Sequence, residues 1–107
     1  MHLSDEGILT QLGYPVTDAN LAQLKKVRSN TPGFEKIQKH IVTLADHLKP
    51  SGGYIAFSGS RPVLKIKIDP AKDPQKALET VTRWADKYNV TLQCVKEGET
   101  YYITGIA

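Results

Sequence analysis

The 107-residue chain predicts an α+β fold, and three observations carry the prediction. Amphipathic stretches of helical period are followed by short segments of period two. Pro and Gly clusters separate them. Two stretches, "IVTLADHL" at 41–48 and "VTRWADKY" at 81–88, run in parallel, and a paired-strand pattern follows each. The expected order is therefore two short N-terminal helices and then a helix-strand-strand pseudo-repeat (α-β-β-α-β-β). Its four strands form a mostly antiparallel sheet with helices on one face. The chain reads as one domain, 1–107. It divides into an N-terminal helical segment (1–30), a first helix-hairpin unit (31–68) and a second (73–107).

The first helix starts at Ser4 as N-cap and ends near Gly13, after which "GYP" breaks the chain. Thr17 caps a second helix, "DANLAQLKKVR", whose Leu21, Leu24 and Val27 share one face. In "SNTPGF" Thr31 is placed as the next N-cap and Pro32 as the first helical residue. The third helix carries the stripe Phe34, Ile37, Ile41, Leu44, Ala45 and Leu48, and Lys49-Pro50 ends it.

Alternation then sets Ile55 and Phe57 against Tyr54, Ala56 and Ser58, and sets Leu64, Ile66 and Ile68 against Val63, Lys65 and Lys67. "SGSRP" joins these two strands as a turn. Asp73 caps the fourth helix with Pro74 at its first position; Ala77, Leu78, Val81, Trp84, Ala85 and Tyr88 form its apolar face, and Asn89 stops it. The tail predicts a hairpin with a two-residue turn at Glu97-Gly98. That register pairs Cys94 with Tyr101 and Leu92 with Ile103 on the buried side, and leaves Thr91, Gln93, Tyr102 and Thr104 on the other.

Composition narrows the function classes. At 40% hydrophobic and 23% charged the chain is an ordinary globular one, and no apolar run nears the roughly 20 residues a membrane helix needs. The acidic start "MHLSDEGILTQLGY" is unlike a secretory signal, and the single Cys94 fits a reducing compartment, so a cytoplasmic protein is expected. The net charge of +3 is unevenly placed. Residues 1–24 hold Asp5, Glu6 and Asp18 and no Lys or Arg. Residues 25–49 hold Lys25, Lys26, Arg28, Lys36, Lys39 and Lys49 against Glu35 and Asp46, and residues 50–72 hold Arg61, Lys65, Lys67 and Lys72 against Asp69. The middle of the chain carries the positive field, which suits an anionic partner.

Four candidate sites follow. "SGGYIAFSGSRP" has the glycines of a phosphate cradle, but strands rather than a helix follow them, so a hairpin is the expected structure, with Gly59, Ser60 and Arg61 at its tip. The sheet face turned from the helices is expected to carry Lys65, Lys67, Tyr102 and Tyr54, with Arg61 of the hairpin tip as a further contact to the partner. Rings for bases and ammonium groups for phosphates are what single-stranded nucleic acid requires. Lys36 and Lys39, with Gln38 and His40, form a second basic patch on a loosely helix-turn-helix-like pair. Catalytic groups are sparse: His40 and His47 are seven residues apart where a helical chelate needs four, and a buried Cys94 is a poor nucleophile. No cofactor and no metal is expected.

The chain thus reads as a non-catalytic binding or adaptor module for an anionic partner, either nucleic acid or an acidic protein surface. The alternatives are a protein–protein or oligomerisation module, such as a small regulator or inhibitor, and a small enzyme uniting His40, His47 and Cys94. No membrane association is expected.

Overall fold

The structure, a computed structural model, describes residues 4–106. Among these are four α-helices, a 3-10 turn and four strands. They are α1 (Asp5–Leu12), α2 (Asp18–Asn30), α3 (Phe34–Leu48), the turn Lys49–Ser51, β1 (Gly53–Phe57), β2 (Leu64–Ile68), α4 (Pro74–Tyr88), β3 (Val90–Lys96) and β4 (Thr100–Ile106). The strand order is β1-β2-β4-β3, and all three pairings are antiparallel. Each hairpin contributes its second strand to the middle of the sheet, so the two helix-hairpin units join through β2 and β4.

Most helix ends are where their capping residues place them. Ser4 Oγ accepts from the Gly7 N–H (3.0 Å), Thr17 Oγ1 from the Asn20 N–H (3.1 Å) and Asp73 Oδ1 from the Lys76 N–H (3.2 Å). Gly13 and Asn89 take left-handed conformations that close α1 and α4.

The joint between α2 and α3 departs from expectation. Thr31 is not the cap of α3 and Pro32 is not its first residue; Thr31 ends α2 and Gly33 precedes Phe34 with no side-chain cap. The reason is the fate of the Thr31 side chain: it is buried, and its Oγ1 has no hydrogen-bond partner among the described residues. At this joint β4 ends. The Ile106 N–H donates to the Pro32 carbonyl (3.1 Å), and a Cβ on Gly105 would stand 2.9 Å from that same oxygen. Only glycine allows the approach.

One face of the sheet builds the core. Ile55, Phe57, Leu64, Ile66, Ile68, Tyr101 and Ile103 meet Ile37, Ile41, Leu44 and Leu48 of α3 and Ala77, Val81 and Trp84 of α4. The N-terminal helices join the same side, supplying Ile8, Leu9, Leu24 and Val27 to this core. Tyr14, just after α1, packs its ring on Phe57 (centroids 4.8 Å apart), and its hydroxyl oxygen accepts from the Phe57 N–H at the outer edge of β1 (2.9 Å). Arg28 then ties three helices together, donating to Asp5 of α1 and to Glu35 and Gln38 of α3. Every described helix is therefore on one side of the sheet, and none of them covers its second face.

Two expectations about the last hairpin are corrected. Its register is as expected, with Cys94 opposite Tyr101 and Leu92 opposite Ile103, but the connection has three residues and Val95 bulges. A two-residue type I′ turn needs positive φ at both central residues and a type II′ turn at the first, whereas Glu97 lacks it and only Gly98 has it (φ +77°). Cys94 is exposed rather than buried, because the helical layer covers the start of β3 at Val90 and does not reach its far half.

Candidate ligand surface on the open sheet face

Residues paired across neighbouring strands point to the same face, so the register lays out the open surface row by row. One row runs Tyr54, Lys67, Thr100, Lys96; the next runs Ala56, Lys65, Tyr102, Gln93. Neither row contains a carboxylate. The ammonium of Lys67 donates to Thr100 Oγ1 (3.0 Å), and that of Lys96 pairs with Glu99 (2.7 Å). Tyr54 is half exposed at 51%, the more accessible of the two rings, while Lys65, Lys67 and Tyr102 are half-buried.

Arg61 reaches onto this face from the β1–β2 loop. Its guanidinium lies over the Tyr102 ring, 5.4 Å from the centroid, and donates to Gln93 Oε1. Ser60 Oγ and the Tyr102 hydroxyl are 2.9 Å apart. The Ser58 and Ser60 hydroxyls, with the Arg61 and Lys65 charges, hold the Tyr102 phenol below the ordinary tyrosine value.

The structure thus brings Arg61, Lys65, Lys67, Tyr54 and Tyr102 together on one surface. Lys36 and Lys39 do not join them, since they are exposed on α3 in the helical layer on the other side of the sheet. Lys96 is a member that alternation from the sequence alone missed. The bulge at Val95 shifts the strand by one residue and turns Lys96 onto the open face. The signal for it was Glu97-Gly98-Glu99, where a single glycine supports a three-residue connection.

The sparse catalytic groups are not gathered. The His40 ring stacks on Tyr88 (3.8 Å, 17°) between α3 and α4, where burial, then the Lys39 and Lys87 charges, keep its pKa below the usual histidine value. Cys94 lies near the tip of the last hairpin, where its thiol donates to Glu97 (3.4 Å); desolvation and that carboxylate push its pKa up, away from the reactive thiolate. Among the described residues no three His, Cys, Asp or Glu side chains group as metal ligands. No described helix is long and apolar enough to cross a membrane.

Comparison of the chain with protein-family models, with curated proteins and with solved structures finds no match.

Proposed function

We propose that the protein is a non-catalytic binding module whose open sheet face receives single-stranded nucleic acid. The observation that carries the reading is the pair of rows themselves: two tyrosines stand with Lys65 and Lys67, no carboxylate is in either row, and Arg61 reaches over Tyr102 from the adjoining loop. Bases stack on exposed rings without regard to sequence, and guanidinium planes stack on bases as well. The lysines meet the phosphates between them. From a strand spacing of about 4.8 Å and a rise of about 3.3 Å per residue, the Tyr54 and Tyr102 backbones stand about 12 Å apart, room for separate bases along one strand.

An amide chemical-shift map with a short mixed-sequence oligonucleotide tests this. Shifts concentrated at residues 54, 61–67 and 100–104, fading as salt rises, support the proposal; an unchanged spectrum at low salt refutes it.

A second reading has one observation of its own. Val95 is 49% exposed on β3, an edge strand whose far half carries no helical cover. Such an edge suits pairing with another protein or a second copy. That contact would be nearly independent of salt, and the same map would then respond at residues 92–96.

A further inference from the structure

A basic cleft continues from the loop end of the open face. The loop between β1 and β2, residues 58–63, is held in shape by its own hydrogen bonds. The Ser58 N–H donates to the Val63 carbonyl (3.0 Å), and the buried Ser58 Oγ accepts from the N–H groups of Ser60 and Arg61 (both 3.3 Å). Opposite this loop stands α2, and the cleft between them, about 520 Å³, is lined by Gln23 and Lys26 on one side and by Gly59, Ser60 and Arg61 on the other. A neighbouring hollow of about 600 Å³ adds Lys25 and Ser29. Among the described residues no carboxylate lines either one. Arg28, at the margin, is already paired with Asp5 and Glu35, and Lys25 also borders a separate hollow with Asp5, Glu6 and Asp18, so Lys26 and Arg61 set the field of the cleft itself and Lys25 adds to it from the neighbouring hollow.

Gly59 is the telling residue. Of the eight glycines, five hold φ between +77° and +141°, and at Gly7 and Gly53 a Cβ would meet a neighbour at 3.2 Å or less. Gly59 alone has neither constraint: a Cβ there meets nothing within 4 Å. The fold has no need of glycine at that point. What glycine supplies is bare backbone at the rim of a basic cleft, with an N–H that has no acceptor among the described residues. Close approach of an oxyanion to backbone is a use that requires it.

We infer that a nucleic-acid strand on the sheet leaves it over the β1–β2 loop and lays a phosphodiester in this cleft. The phosphate meets the Gly59 backbone, the Ser60 hydroxyl and the ammonium groups of Lys25 and Lys26. Arg61 is shared, because it lines the cleft while its guanidinium crosses Tyr102. The inference rests on the sheet-face reading and extends the bound length beyond it.

The test is fluorescence anisotropy with labelled oligothymidylates of about 4 and about 12 nucleotides, in the range of site sizes such platforms use. Four proteins are compared: the unaltered chain, K25Q/K26Q, K65Q/K67Q, and K72Q/K76Q as a control of equal charge change at exposed positions elsewhere. For the longer strand, K25Q/K26Q is expected to lower the salt slope by about 1.4 and, from counterion release alone, the affinity about 25-fold at 0.1 M salt. The shorter strand is expected to bind K25Q/K26Q unchanged, and K65Q/K67Q is expected to weaken both. If K65Q/K67Q weakens binding but K25Q/K26Q leaves the longer strand's slope intact, the cleft inference is overturned and the sheet reading stands. If K25Q/K26Q weakens both lengths equally, or no more than K72Q/K76Q does, only net charge is at work and the cleft is again refuted. If neither strand binds the unaltered protein at low salt, the sheet reading fails and the inference with it.

Discussion

Replacing Lys65 and Lys67 by glutamine removes two charges from the middle of the open face while keeping most of each stem and a donor for Thr100. If Arg61, Lys65 and Lys67 each meet one phosphate of a short strand, three contacts give a slope of log K against log salt of about −2, at roughly 0.7 per contact. Between about 50 and 200 mM salt the affinity of the unaltered protein is then expected to fall about 20-fold. With Arg61 alone the slope is about −0.7, and the same change of salt costs between about two- and threefold. Anisotropy titrations of a labelled tetranucleotide over that range measure both slopes, and far-ultraviolet dichroism checks that the half-buried stems have not upset the sheet. A slope near zero for the unaltered protein, or an equal slope in the double variant, refutes the argument that these ammonium groups neutralise phosphates.

Two further expectations concern the fold. Thr31→Val removes, at nearly constant shape, a buried hydroxyl that lacks a partner among the described residues, so urea denaturation is expected to show a gain of about 1 kcal/mol, and a loss would mean that Oγ1 is satisfied in solution. The His40 pKa lies below its ordinary value of 6.5 in the folded state, so the unfolded chain binds more protons in the window just beneath 6.5. Stability is then expected to rise with pH through that window and to be level above it. His40→Gln should flatten this part of the melting-temperature profile, and an unchanged profile would show that the ring is freely solvated.

The sequence was most legible where local chemistry and burial agree. Ser4, Thr17, Asp73 and Asn89 act within one turn of themselves, so their caps form as the chain alone implies. The strands follow the same logic: Ile66 and Ile103 alternate with polar residues because one face is buried, and a slip of one residue would expose the whole set. The open-face assignment of Lys65, Lys67 and Tyr102 comes from that period.

Legibility failed where a distant contact decides. Thr31 has the makings of a helix cap, but β4 ends against Pro32 and the side chain is buried in that joint instead. Cys94 has the right partner in Tyr101 and the wrong environment, since how far helices reach across a sheet depends on packing rather than on strand period. Lys96 joined the open face through a bulge set by which residues of the turn accept positive φ.

By itself, then, the sequence determined the elements, their order, most of their boundaries and the polarity of each sheet face, all of which depend on neighbours a few residues away. Only the tertiary structure decided that α1 and α2 join α3 and α4 on one side. That arrangement leaves the second face open and sets α2 beside the β1–β2 loop. Local periodicity marks which residues must be buried; which surfaces meet to bury them depends on how the whole chain closes around one core.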